Sequence, residues 1–114
     1  MDPDRMRTRL ERERASLRSQ LEEHGADPDD PQSVGLQVDE GFADSAHATA
    51  ERAGVLSLVE GLRQSLAEVD AALGRIEAGT YGTCERCGRD IGAERLEAIP
   101  SARFDIACQQ EVGR

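Results

Sequence analysis

The chain has 114 residues, 3% aromatic content with no Trp, and a formal net charge of −9 at pH 7. That length suits one domain or one elongated module, and so few bulky side chains argue against a large rounded core. The acidic balance argues against a broad face for duplex nucleic acid, and no apolar run approaches the roughly 20 residues of a membrane span.

The start, Met1-Asp2-Pro3-Asp4, is polar and unlike an export signal, so the cytoplasm is the expected compartment. Asp2 is a good N-cap, and Pro3 suits a first helical position. Met6, Leu10, Leu17 and Leu21 then fall on one helical face, interrupted at Arg14. The helix should close near His24-Gly25, because glycine takes the left-handed terminating conformation easily. Its length would be about 30 Å.

Residues 26–41 read as a connector. Asp27-Pro28-Asp29-Asp30-Pro31 breaks any helix. No Lys or Arg occurs from Ser19 to Ala50, while that stretch carries Glu22, Glu23, Asp27, Asp29, Asp30, Asp39, Glu40 and Asp44. One reading is a solvated acidic loop. The other is an acidic tip presented to a positive partner or a metal ion.

Asp44 or Ser45 can cap a second helix running to Ala78, with Gly79 as its terminator. Val55, Val59, Leu62, Leu66, Val69, Leu73 and Ile76 alternate in steps of four and three, the seam of a helix packed on a helix. Gly54, Gly61 and Gly74 lie inside it and weaken it by roughly 0.5–1 kcal/mol each, so tertiary packing must hold it. The first helix, folded back antiparallel, is the expected partner, which makes the chain a monomer. An intermolecular coiled coil is the alternative. The expected class is mainly α: a coiled-coil hairpin over residues 1–78, with an acidic tip around 26–47, followed by a small finger over 79–114.

Cys84-Glu85-Arg86-Cys87 sits between Gly82 and Gly88, the shape of a zinc knuckle. Cys108 follows, and Asp105 stands where a second CxxC would begin. Zinc accepts sulfur, imidazole nitrogen or carboxylate oxygen, so Cys84, Cys87, Asp105 and Cys108 make a chemically legal set. Zinc on three cysteines with water, and a metal-free knuckle, are the alternatives. A thioredoxin-type redox pair would want a βαβ setting, which is missing. Ile91, Leu96, Ile99, Phe104 and Ile106 are the expected finger core. His24 and His47 belong near the turn, away from the knuckle.

The run Gly79-Thr80-Tyr81-Gly82-Thr83-Cys84-Glu85-Arg86-Cys87-Gly88 resembles the finger signature of the DksA/TraR family. So do Ile91-Gly92, Arg95-Leu96-Glu97-Ala98-Ile99-Pro100, Ala102-Arg103 and Cys108-Gln109. The resemblance covers roughly residues 42–110. It implies a non-enzymatic regulator of bacterial RNA polymerase, whose hairpin enters the secondary channel with its acidic tip toward the catalytic magnesium. It also implies a finger base on the channel rim and, for many members, joint action with ppGpp. Phe42-Ala43-Asp44 matches the start of the family's tip motif. His47 stands where a second aspartate is expected, and Thr49 where an alanine is expected. Asp105 replaces a finger cysteine, and the end at Arg114 leaves little room for a longer C-terminal helix.

Direct sequence-specific DNA binding is not expected. Nor is catalysis: there is no Ser/His/Asp arrangement, phosphate loop or catalytic-metal triad. A finger-bearing interaction module with another partner, and a thiol- or metal-responsive sensor, are the competing classes.

Overall fold

The computed structural model describes residues 2–33 and 46–113, with residues 46–51 described by their backbone alone. Four helices follow in order: α1 (Pro3–Glu23), α2 (Ala46–Ala78), α3 (Ala93–Ala98) and α4 (Ile106–Val112). Among the described residues there is no strand, only one antiparallel bridge between Thr83 and Asp90. Among the described residues, no helix is long and apolar enough to cross a membrane.

The helix ends follow from local chemistry. The Asp4 amide donates to Asp2 Oδ1 at 3.0 Å, which caps α1 and leaves Pro3 at the first position, where a missing N–H is harmless. At the other end Gly25 has φ 79°, and the Ala26 amide returns to the Leu21 carbonyl at 2.9 Å. The end of α2 repeats the device: Gly79 has φ 76°, and the Thr80 amide returns to the Arg75 carbonyl at 2.9 Å. Both are Schellman closures, for which glycine is suited.

The chain divides into two compact units, Ala15–Leu66 on one hand and Met1–Arg14 with Ala67–Arg114 on the other. In the first, Leu17, Leu21 and Ala26 are buried together with Val59, Leu62 and Leu66. In the second, Met6 and Leu10 of α1 are buried along with Val69, Ala72 and Ile76 of α2. The hairpin expectation thus stands, with one change in the seam. Ala72 is fully buried, whereas Leu73 is half-buried. A strict 4-3 count makes Leu73 a seam residue, but a straight helix drifts by ~20° per heptad, and Ala72 takes the inward position. Val55 is also only half-buried.

The described start of the connector, residues 26–33, is more built than an open loop. The Asp29 amide donates to Asp27 Oδ1 and the Gln32 amide to Asp30 Oδ1, both at 2.9 Å. Arg18 pairs with Asp29 at 2.9 Å, and Arg63 of α2 donates to the carbonyls of Asp27 and Ser33. Two of the expected acidic-tip carboxylates, Asp27 and Asp30, therefore serve local turns, and a third, Asp29, is taken by Arg18. Several arginines of α1 are likewise matched nearby: Arg5 and Arg9 with Glu97, Arg7 with Asp4, and Arg14 with Asp70 at 2.6 Å. Arg14, the apparent gap in the α1 stripe, is an interhelical ion pair.

Candidate metal centre

The second unit carries a small finger directly after α2. Cys84 accepts and donates across a tight loop. Its amide reaches the Arg89 carbonyl at 2.8 Å, and its carbonyl receives the Gly88 amide at 3.0 Å. The Ile91 amide closes the loop on the Gly82 carbonyl at 2.8 Å. This geometry aims the amides of Arg86 and Cys87, together with that of Asp105, at the Cys84 sulfur.

Cys84 is 2% exposed and belongs to a core with Ile91, Leu96 and Ala102; Tyr81, Phe104 and Cys108 pack against it. The Tyr81 hydroxyl donates to the Pro100 carbonyl at 2.7 Å. Two of the five expected core residues are instead on the surface: Ile99 is 44% exposed and Ile106 is 59% exposed. Their places are taken by Ala102 and by Cys84 itself. A finger this small has room for few large side chains, and position 106 lies in α4, which buries none of its residues.

Cys84, Cys87, Asp105 and Cys108 converge. One ligand atom from each lies within 4.8 Å of all the others. A tetrahedral zinc with bonds of about 2.3 Å to sulfur needs sulfurs about 3.8 Å apart, so the set fits such an ion with small adjustments. All three cysteines are free thiols. His24 is not among the grouped donors.

Asp105 does two things in this arrangement. It is the N-cap of α4, with extended backbone and Oδ1 accepting the Cys108 amide at 2.7 Å. Its other oxygen, Oδ2, lies 3.1 Å from Cys87 Sγ.

The electrostatics differ from sulfur to sulfur. Burial pushes the Cys84 thiol up, but the amides of Cys87, Asp105 and Arg86 more than offset this and bring it to about 7. Burial and then the Asp105 side chain push Cys108 up to about 12. At Cys87 the Arg89 amide favours the thiolate, yet the Asp105 carboxylate and burial win and raise it. The Cys108 amide and the Cys87 thiol hold the Asp105 carboxyl below the usual carboxylate range.

A cluster of charged side chains that sequence patterning misses ties this finger to the end of α2. Arg103 donates to Glu68 at 2.6 Å and to both oxygens of Glu85 at 3.3 Å. The Glu85 amide donates to the Arg103 carbonyl at 2.9 Å. Buried Arg75 reaches the carbonyls of Ser101 and Ala102 at 3.3 and 3.4 Å. The one sequence signal was an arginine beside the seam in the last turn of α2.

Asp44 lies outside the described residues. His47 and Thr49 are within α2, in the part described by backbone alone.

Residues 79–112 match the sequence profile described as the prokaryotic dksA/traR C4-type zinc finger. The solved structure of transcription factor DksA2 from Pseudomonas aeruginosa is similar over 97% of this chain and 82% of that one. Its TM-score is 0.76 and its identity 31%. The "RNA polymerase-binding transcription factor DksA" of Caulobacter vibrioides is 40% identical over 69 residues, 60% of this chain and 49% of that protein. "General stress protein 16O" of Bacillus subtilis is 40% identical over 75 residues, 66% of this chain and 46% of that protein. The chain thus spans about half the length of these two curated relatives.

Proposed function

Since the chain belongs to the DksA/TraR family of C4-type zinc-finger proteins, we propose that it is a transcription regulator that acts by binding bacterial RNA polymerase. The observation that carries this is the 31% identical match to a transcription factor over 97% of the chain, hairpin and finger together. A family profile limited to the finger would support a metal-binding module with any partner. The match over α1 and α2 adds the hairpin.

In this reading the hairpin, residues 1–78, enters the secondary channel, and the finger, residues 79–114, rests on the rim. The tip turns toward the active site with Asp44, followed by His47 and Thr49. A carboxylate there would alter the field around the catalytic magnesium and the elements beside it. The chain acts as a cytoplasmic monomer and reads no DNA sequence directly. Its net charge of −9 favours docking on protein over phosphate backbone. Zinc is held by Cys84, Cys87, Asp105 and Cys108, and ppGpp is the co-regulator that family likeness brings in.

The test is binding of the purified chain to purified RNA polymerase core and holoenzyme, with and without ppGpp. Saturable one-to-one binding is expected. Binding that a seam-breaking Leu66→Asp substitution leaves intact would contradict insertion of the hairpin.

A further inference from the structure

Asp105 occupies a position where one side chain meets two demands. Its Oδ1 accepts the Cys108 amide at 2.7 Å, and its Oδ2 lies 3.1 Å from the Cys87 sulfur, among donors that all fall within 4.8 Å of one another. A thiolate at this position could meet the second demand but would cap poorly. Aspartate and asparagine are preferred N-caps because a short side-chain oxygen reaches the free amides of the first turn. That same first turn carries the ligand Cys108 itself, so the cap sets the position of a second donor.

We propose that the Asp105 carboxylate is divided, Oδ1 holding the first turn of α4 and Oδ2 serving as the oxygen ligand of the metal. The site therefore takes a borderline divalent ion of the zinc or cobalt class, and α4 keeps its first turn when the ion is absent. This rests on the reading of residues 84, 87, 105 and 108 as a metal site. Two consequences follow from donor chemistry. Three sulfurs and one oxygen make a harder set than four sulfurs, so the preference for a soft ion such as cadmium over zinc is weaker than in an all-cysteine finger. Because Cys108 is placed by the cap, the metal meets two donors already ordered by one side chain.

The full chain can be compared with Asp105→Asn, Asp105→Cys and Asp105→Ala. Zinc and cadmium affinities are measured by competition, and exchange of the Cys108 amide by NMR in metal-free protein. Asp105→Asn keeps a cap oxygen and removes the charged ligand. It should weaken zinc binding at least about ten-fold while leaving Cys108 amide exchange within about two-fold. Asp105→Ala should weaken zinc and also speed that exchange by about five-fold. Asp105→Cys should raise the cadmium-over-zinc preference by at least about ten-fold, and its cobalt complex should show stronger thiolate charge-transfer absorption. Zinc affinity unchanged in Asp105→Asn would show that Asp105 only caps, and unchanged exchange in Asp105→Ala would remove the cap; either result overturns the divided role. Cys87 is exposed, so Cys87→Ser is a mild control. If that variant binds zinc as the parent does, the metal-site reading itself fails, and this proposal falls with it.

Discussion

Arg75 and Glu85 meet just short of a hydrogen bond. Arg75 Nη1 lies 3.8 Å from Glu85 Oε1 and is a buried nitrogen with no hydrogen-bond partner among the described residues. The pair spans the last turn of α2 and the first position inside the CxxC loop, so it lies where helix and finger join. Burial lowers the proton affinity of Arg75, and Glu85 opposes that effect. Arg75→Ala should cost about 2–3 kcal/mol in thermal or urea unfolding. Glu85→Gln should cost less than about 1 kcal/mol, because Glu85 is partly exposed. Equal effects of the two would mean that the ion pair, rather than burial of Arg75, dominates this joint.

The seam gives a sharper contrast within one unit. Leu66 is buried and Leu58 is half exposed on the same helix. Leu66→Asp should destabilise by about 3–5 kcal/mol, since it removes apolar packing and buries a charge with no partner. Leu58→Asp should change stability by less than about 0.5 kcal/mol. Circular dichroism melts of the two variants check this directly.

The interior glycines of α2 should be improvable. Among the described residues, a Cβ built on Gly54, Gly61 or Gly74 meets nothing within 4 Å, and none of the three has positive φ. Each should gain about 0.5–1 kcal/mol on replacement by alanine, chiefly through the unfolded state. Gly61 and Gly74 are far enough apart in sequence for their effects to add. A loss of stability in Gly61→Ala would mean that this glycine face is used for close packing.

The sequence was most legible where one local rule decides the outcome. Asp2-Pro3 at the start of α1 and glycines after α1 and α2 mark helix ends by backbone chemistry alone. The 4-3 spacing from Val55 to Ile76 announced a packed helix, and the cysteine spacing announced the grouping of Cys84, Cys87 and Cys108. It was less legible where packing between distant segments decides. Ala72 displaced Leu73 from the seam because helix phase drifts. Ile99 and Ile106 are exposed because a finger this small buries few large side chains. The Arg75–Glu85–Arg103–Glu68 cluster joins residues up to 35 positions apart, which no periodicity reports. That Asp105 meets both the Cys108 amide and the Cys87 sulfur depended on α4 starting just after it.

Metal uptake should release protons in a number that changes with pH. Cys84 titrates at about 7, Cys108 at about 12, and Cys87 above its ordinary value. Zinc takes thiolates, so bound protons must leave. Near pH 8.5 about two should leave, from Cys87 and Cys108; near pH 6 about three should leave, because Cys84 is then protonated too. Zinc affinity should therefore fall more steeply with acidity below about pH 7 than above it. The metal-free fold follows the same sign at Cys84. A thiol held below its ordinary value contributes stability above that value and loses it as pH falls through about 7. Calorimetry in buffers of different ionisation enthalpy counts the protons, and a constant count across this range would contradict the assignment.

The most direct measurement is transcription by purified bacterial RNA polymerase in the presence of the parent chain, Asp44→Asn and His47→Asp, with polymerase binding measured in parallel. If the tip acts at the active site, Asp44→Asn changes transcript output while its affinity for polymerase stays within about two-fold of the parent. His47→Asp moves output in the opposite direction. Asparagine caps a helix about as well as aspartate, so a purely structural Asp44 predicts no change. A parent chain that neither binds polymerase nor alters its output contradicts the proposed function. An Asp44→Asn chain that binds and regulates exactly as the parent does contradicts the role of the tip.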